Sequence, residues 1–172
     1  IIKEGVALIT EDRKVTGLNL SGSVNDNIAM VAIKKLLSHG LYNKNKARAA
    51  SMEYIKKLNI KTPSGDQITG NLSGGNQQKI VIAKWLLNDP DIIILDEPTR
   101  GIDVGAKRDI YLLLGKLVQQ GKAVIMISSE IPELMGVCDR IMVMCEGNLS
   151  GEVQRDAFSQ ERIMTLASAI EV

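Results

Sequence analysis

The sequence has few aromatic residues and no excess of charge of either sign. Aromatic side chains make up 3% of the 172 residues, and 21 basic residues nearly balance 20 acidic ones. Proteins that bind nucleic acids usually show a basic patch and aromatic side chains on which bases stack. The sequence therefore predicts no nucleic-acid partner and a core built mainly from aliphatic side chains.

Cysteines and long apolar runs are equally scarce. Cys138 and Cys145 are the two cysteines, and their spacing fits neither a disulfide framework nor a metal site, so we expect two reduced thiols. No stretch approaches the ~20 consecutive apolar residues of a membrane span, and no secretory signal opens the chain. We expect a cytosolic protein that reaches a membrane only through a partner.

A phosphate-binding loop is also missing. The motif Gly-x-x-x-x-Gly-Lys-Ser/Thr, whose backbone amides cradle nucleotide phosphates, occurs nowhere in the sequence. The chain opens without Met and runs almost at once into the apolar segment 5–9, which is typical of a strand. We therefore expect a piece of a longer protein, cut shortly before a strand.

Continuous apolar runs at 5–9, 92–95 and 123–127 predict strands, and helical spacing separates them. The isoleucine-rich run 92–95 predicts a strand buried on both faces. Strands that alternate with helices indicate an α/β fold with a largely parallel sheet. Helical spacing marks the segments around Ile80 to Leu87, Ile110 to Leu117 and Ile163 to Ile170.

The segment between the first two strands has a helical pattern. Ser23 or Asn25 is suited to cap a first helix whose apolar positions continue to Leu36, and a second helix ends near Leu58. We expect a small helical subdomain inserted into the α/β core. The expected division of the chain is a core strand and its loop at 1–22, the helical subdomain at 23–72, a second core segment at 73–154, which includes a hairpin turning at Glu146-Gly147-Asn148, and a C-terminal helix at 155–172.

A glycine pair stands at the entry of one predicted helix, in the run Leu72-Ser73-Gly74-Gly75-Asn76-Gln77-Gln78-Lys79. Glycines let the backbone approach an anion closely, and the free amides and the dipole of a helix N-terminus favour negative charge. Ser73 adds a hydroxyl donor. Taken alone, the run also fits an ordinary serine-capped helix with a flexible lead-in.

Two adjacent carboxylates, Asp96 and Glu97, follow the isoleucine-rich strand directly. Functional groups cluster at the carboxyl ends of strands in an open parallel sheet. Carboxylates at such a place are costly to desolvate unless they bind a cation or transfer protons. The alternative, a charged turn after a strand, accounts poorly for the Pro98-Thr99 that follows.

Together the two motifs resemble the signature loop and the Walker B strand of the ATP-binding-cassette (ABC) ATPases. The resemblance implies a P-loop NTPase core plus a small helical subdomain, here without the Walker A portion, and it implies ATP and Mg²⁺ as ligands. In this family Asp96 would hold the metal and Glu97 would polarise the attacking water. The residues implied to contact the ATP of an opposing domain are Leu72, Ser73, Gly74, Gly75, Asn76 and Gln77.

Asp103 occupies the position of the family's D-loop aspartate, which lies near the partner domain and the shared ATP. Alternatively, it caps the helix through Ile110, and it could do both. The run 100–107 resembles one branch in particular, the second cassette of the duplicated ATPase subunits in bacterial monosaccharide importers. The segments 10–14 and 128–134 point to the same branch.

Two positions depart from the general cassette pattern. Ser129 stands where the switch histidine is usual, and a hydroxyl cannot carry charge as an imidazole does. Glu11 stands at about the place of the Q-loop glutamine, where a carboxylate still offers a metal ligand. Both departures bear on whether this half's own ATP site turns over. His39, the one histidine, is expected at the surface.

The resemblance implies an ATP hydrolase on the cytoplasmic face of the inner membrane that energises monosaccharide import. Its implied partners are a first cassette or a second copy, the permease subunits and, indirectly, a sugar-binding protein. The 172 residues alone are expected to be inactive. Two alternatives remain: a non-transport cassette ATPase acting in translation or DNA repair, and a regulatory or assembly module that turns over no nucleotide.

Overall fold

The computed structural model describes residues 2–168, which belong to two compact units, one up to Ile127 and one from Ser128 onward. The first unit contains the strands β1 (Val6–Ile9), β2 (Leu37–Ser38), β3 (Leu41–Tyr42), β4 (Ile92–Asp96) and β5 (Ala123–Ile127). Its α-helices are α1 (Val24–Ala29), α2 (Lys44–Lys57), α3 (Gly74–Leu86) and α4 (Val104–Gln119). None of the helices within residues 2–168 is both long enough and apolar enough to cross a bilayer.

A parallel sheet in the order β1-β4-β5 forms the centre of the first unit and confirms the predicted α/β fold. The register places Leu8 beside Ile94 and Ile94 beside Ile125. Because all three strands run in the same direction, the loops that follow them emerge at one edge of the sheet.

One face of this sheet is buried under helices. Ile93 and Leu95 are fully buried and pack in one cluster with residues of α3 and α4 such as Ile82 and Ile110. Side chains alternate between the faces of a strand, so their neighbours point the other way.

The opposite face is exposed, with Ile92 at 36% and Ile125 at 52% of their full accessibility. The prediction that the 92–95 strand is buried on both faces is therefore wrong for one face. The β-branched run establishes a strand, but the covering of each face depends on which elements pack there.

α4 follows from its sequence directly. Asp103 caps it, since its Oδ1 accepts a hydrogen bond from Ala106 N at 2.9 Å. Ile110, Leu114 and Leu117 recur at helical spacing and are buried. Gly121 follows the helix with φ +84°, a left-handed conformation that suits glycine and ends the helix.

The first predicted helix is shorter than expected. Ser23 caps α1 as predicted, accepting from Asp26 N at 3.1 Å, but the helix ends at Ala29. Beyond it the hydrogen bonds tighten to i→i−3, from Ala32 N to Ala29 O and from Lys35 N to Ala32 O, and a 3₁₀ turn forms at Ile33–Leu36. α2 covers the second predicted helix, and His39 is exposed as expected.

The second unit contains α5 (Ile131–Val137), β6 (Arg140–Cys145), β7 (Asn148–Gln154) and α6 (Gln160–Ala167). β6 and β7 form the predicted antiparallel hairpin, which turns at Glu146 and Gly147, both with positive φ. Its core consists of Ile141, Val143, Val153 and Ile163. Ile170, predicted on the last helix, lies outside the described residues.

Candidate functional site

The carboxyl edge of the sheet carries the acidic pair. Asp96 is the last residue of β4 and pairs with Ile127, and both Asp96 and Glu97 are half-buried. Glu97 adopts a left-handed backbone conformation with φ +46°. Its amide donates to Ile127 O at 2.9 Å, and its carbonyl accepts from Arg100 N at 3.2 Å. A non-glycine residue in this conformation costs about 1–3 kcal/mol and persists only where its surroundings hold it, often at functional sites.

The glycine pair opens α3, as the sequence predicts. Ser73 is exposed at the N-cap and Gly75 is buried. Ser73 Oγ accepts from Asn76 Nδ2 at 2.9 Å, and Asn76 Oδ1 accepts from Lys61 N at 2.7 Å, which ties the first turn of α3 to the preceding loop. The unsatisfied amides and the dipole of a helix N-terminus are suited to bind an anion.

Gln77 and Leu72, also implied as nucleotide contacts, are turned toward the protein. Gln77 is 5% exposed, and its Nε2 donates to Leu72 O at 3.1 Å and to Thr69 O at 3.3 Å. Leu72 is half-buried against the main core cluster. In this structure these side chains hold the loop that enters α3, which is a positioning role.

Asp103 lies beside the start of α3. Besides capping α4, its Oδ2 is 3.8 Å from the point where a Cβ on Gly75 would stand. The same Cβ would be 2.5 Å from Ala106 Cβ, so the first turns of α3 and α4 approach each other at a point where only glycine fits. Asp103 thus has the helix-cap role that the sequence left open, and it has that role next to the glycine pair that opens α3.

Glu11 contacts the loop that follows β4. Its carboxylate forms an ion pair with the guanidinium of Arg100. Nearby, Arg13 Nη1 donates to Arg100 O at 2.9 Å and Arg13 Nη2 donates to Gly101 O at 3.3 Å. The segments after β1 and β4 are thus joined at the same edge of the sheet.

Arg13 and Arg100 were not predicted as functional residues. Both belong to short motifs that the sequence analysis singled out, Thr10 to Lys14 and Arg100 to Lys107. The available signal was the presence of arginine in two loops that follow strands of one parallel sheet. Sequence spacing alone does not tell which carbonyls an arginine will reach.

Two buried lysines fix α3 to its neighbours. Lys79 Nζ donates to Asp109 Oδ2 at 2.7 Å and to Asn59 O at 3.2 Å. The hydrogen bond from Lys79 lowers the pKa of Asp109. Lys84 Nζ donates to Gly17 O, and burial lowers the pKa of its ammonium group. These contacts hold the helix whose N-terminus faces the acidic pair's loop.

Ser129 belongs to the second unit, two residues past the end of β5, and is exposed. On either side of it, Ser128 Oγ donates to Glu133 Oε2 at 2.6 Å and accepts from Glu130 N at 3.1 Å. Both hydrogen bonds join Ser128 to the N-cap and the first turn of α5. The structure thus brings Glu11 close to the loop after β4 and Asp103 close to Gly75, whereas Ser129 is described only within its own unit.

The donor set suits a metal that arrives with a nucleotide. Within residues 2–168, no group of three or more His, Cys, Asp or Glu side chains is placed to hold a metal ion alone. Mg²⁺ is commonly bound through one or two carboxylates together with waters and substrate phosphates. The half-buried Asp96 at the end of β4 fits that requirement, and Glu11 offers a second carboxylate that now pairs with Arg100.

Comparisons with known proteins place relatives beside this chain. The family model described as ABC transporter matches residues 3–100. The ribose import ATP-binding protein RbsA of Clostridium tetani is 54% identical over 169 residues, which cover 98% of this chain and 34% of that protein. A Geobacillus kaustophilus protein named for ribose, galactose and methyl galactoside import is 52% identical over 167 residues, 97% of this chain and 33% of its own length. The chain thus spans about a third of the length of these curated relatives.

Solved structures give the same fold. The ATP-binding cassette MJ0796, in a dimeric post-hydrolysis state bound to ADP and Pi, matches with a TM-score of 0.73 at 25% identity, over 89% of this chain and 64% of that one. cbiO1 from Clostridium perfringens, part of the ABC transporter complex cbiONQ, matches with a TM-score of 0.75 at 24% identity, over 94% of this chain and 62% of its own.

Proposed function

Because the chain belongs to the ABC transporter family, we propose that it forms part of an ATP-hydrolysing subunit that energises the import of a monosaccharide into a bacterial cell. The names of relatives that are 52–54% identical over nearly the whole chain support a sugar as the cargo. The subunit would lie on the cytoplasmic face of the inner membrane and act through permease subunits, which receive sugar from a binding protein.

The observation that carries the proposal is the contact between the N-terminus of α3 and the first turn of α4. At this contact the Cβ position of Gly75 is 3.8 Å from Asp103 Oδ2, and Ser73 and Gly74 directly precede Gly75 at the start of α3. An ATP phosphate bound there would meet helix amides and the serine hydroxyl. Since these 172 residues contain no phosphate loop, the loop of a first cassette or of a second copy would supply the other half of the site.

The roles at the sheet edge follow from phosphoryl-transfer chemistry. Asp96, and Glu11 if it separates from Arg100, would hold Mg²⁺, which neutralises charge on the β- and γ-phosphates when bound. Glu97 would orient the attacking water and accept its proton. Ser129 would stand at the switch position and contribute a hydroxyl in place of an imidazole.

Glu11 at the Q-loop position and Ser129 at the switch position both depart from the general cassette pattern. These two departures support an asymmetric pair of ATP sites. The start of α3 in this half, with Ser73, Gly74 and Gly75, forms a signature surface that would complete a productive site with the partner cassette. The site built on Asp96, Glu97, Glu11 and Ser129 would bind ATP and turn over slowly. The segment 23–72 would be the helical subdomain that meets the permease, and the 172 residues by themselves would not hydrolyse ATP.

Sugar-stimulated ATP hydrolysis by the full-length subunit, assembled with its permease and sugar-binding partners, tests the proposal. We expect Gly75→Asp to abolish the stimulated rate, because a carboxylate would enter the crowded contact with Ala106 and repel phosphate. We expect Glu97→Gln to leave most of the rate. A wild-type assembly without sugar-stimulated hydrolysis, or an active Gly75→Asp variant, would refute the function, and equal collapse of both variants would refute the asymmetry.

A further inference from the structure

Arg13 lies at the start of the π-helical turn Arg13–Gly17, which follows β1, and its side chain is half-buried. Its two terminal nitrogens reach two consecutive carbonyls, those of Arg100 and Gly101, at 2.9 and 3.3 Å. The guanidinium is a rigid planar fork, so two bonds from it fix both the position and the direction of the chain that accepts them. That chain leads directly to Asp103.

The same guanidinium touches the start of α3. A Cβ on Gly74 would stand 2.8 Å from Arg13 Nη2 and 3.2 Å from Gly101 O. The guanidinium and the carbonyl of Gly101 therefore both lie against the first residue of α3. Three segments that are far apart in sequence meet at this one side chain.

A second contact joins two of these segments in the reverse direction. The side chain of Glu11 pairs with the side chain of Arg100, while the side chain of Arg13 bonds the main chain of Arg100. The side chains of both Glu11 and Arg100 are substantially exposed, and exposed ion pairs contribute little on their own. The geometry of the junction thus depends mainly on Arg13.

We propose that Arg13 is a positioning residue that sets the distance between Asp103 and the N-terminus of α3, and thereby shapes the nucleotide-facing surface that both contribute. This inference rests on the proposed function only for its effect on hydrolysis. Its structural part is independent: losing the fork releases the chain at 100–103 while the sheet stays intact. A shift of the segment after β1 would then reach the signature surface through this one side chain.

Hydrogen–deuterium exchange of the full-length subunit measures the structural part. The informative amides are Ala106 N, which donates to Asp103 Oδ1, and Lys107 N, which donates to Asp103 O. In Arg13→Met we expect their exchange to rise about tenfold, since bonds from a charged donor are lost. The amides of Ile93 and Leu95 in β4 should keep their protection, which separates a local release from general destabilisation.

Two further variants sharpen the test. Arg13→Lys retains the charge but loses the fork, so we expect an intermediate rise in exchange and a partial retention of hydrolysis. Gly74→Ala keeps arginine at position 13 but adds a methyl group that displaces its guanidinium. This variant should therefore raise exchange at the same two amides. Lys14→Met, at an exposed neighbouring position, serves as the matched control and should behave as wild type.

In the assembled transporter we expect Arg13→Met to lower kcat about tenfold while KM for ATP stays within about twofold, because the site is misaligned after binding. Unchanged exchange at Ala106 and Lys107, or an equal rise in β4, would overturn the positioning role. If the wild-type assembly shows no sugar-stimulated hydrolysis, the proposed function fails, and the exchange pattern still decides the role of Arg13.

Discussion

Gly75 lies directly against Ala106: a Cβ built on Gly75 would stand 2.5 Å from Ala106 Cβ. Carbon atoms do not approach this closely without displacement, so the first turns of α3 and α4 can keep their present separation only while residue 75 has no side chain. The same contact brings the start of α3, which Ser73 caps, next to the start of α4, which Asp103 caps, so packing in the first unit and the candidate site share this point.

Gly75→Ala is therefore expected to destabilise the protein by about 1–3 kcal/mol through overpacking. Gly115→Ala is the matched control, because that glycine is also helical, is exposed, and a Cβ there would meet no atom of the described residues within 4 Å. It should stabilise α4 by about 0.5–1 kcal/mol. Melting temperatures of the full-length subunit would show a fall for the first variant and a small rise for the second.

A compensating change tests the cause of that destabilisation. Ala106→Gly removes the methyl that a Gly75→Ala side chain would strike, at a helical cost of about 1 kcal/mol. We expect the double variant to melt above Gly75→Ala alone, with a favourable coupling between the two sites. Strictly additive losses would mean that the two residues do not interact as the structure places them.

Lys84 makes the stability of the folded protein depend on pH in a specific range. Burial lowers its pKa below the ordinary value of 10.5, so the folded state releases this proton before the unfolded state does. Stability should then rise as the pH increases from the lowered pKa to about 10.5. The melting temperature of the wild type should gain on that of Lys84→Met across this window, and parallel curves for the two proteins would contradict the account.

The bond from Lys79 to Asp109 should matter more than an ordinary surface pair. Lys79 keeps 7% of its side-chain accessibility and Asp109 keeps 49%. The pKa of Asp109 is lowered in the folded state, so this carboxylate stabilises the fold fully at pH values above its unfolded pKa of 3.8. That stabilisation is lost as the pH falls through the lowered pKa of the folded state.

We expect Asp109→Asn to cost about 0.5–1 kcal/mol at neutral pH. Asp66→Asn, which breaks the largely exposed pair with Arg48, should cost close to nothing. Comparing the two melting temperatures at neutral pH and again near pH 3 checks both the size and the direction of the effect. Equal losses at both pH values would rule out an electrostatic origin.

Local patterns account for most of the fold. The β-branched run at Ile92–Asp96, the cap at Asp103 and the glycine after α4 act over a few residues, and the structure follows them. The exposure of Ile125 and the early end of α1 at Ala29 depend on which elements pack nearby, so local spacing could not reveal them.

The candidate site divides in the same way. The glycine pair and the acidic pair stand in short motifs whose chemistry is visible in the sequence. The fork of Arg13 and the inward turn of Gln77 are tertiary contacts between loops, and residue type alone does not specify their partners.

The most direct test of the central claim is the protection of Ser73 by ATP. In a full-length subunit whose native cysteines, Cys138 and Cys145 among them, are replaced by Ser, a thiol reagent would label Ser73→Cys, at the exposed N-cap of α3. Lys116→Cys, about 18 Å along α4 from its start, is the control. If α3 completes an ATP site with a partner phosphate loop, MgATP slows labelling at position 73 at least about tenfold and leaves position 116 unchanged. Equal labelling rates at position 73 with and without ATP would contradict the account.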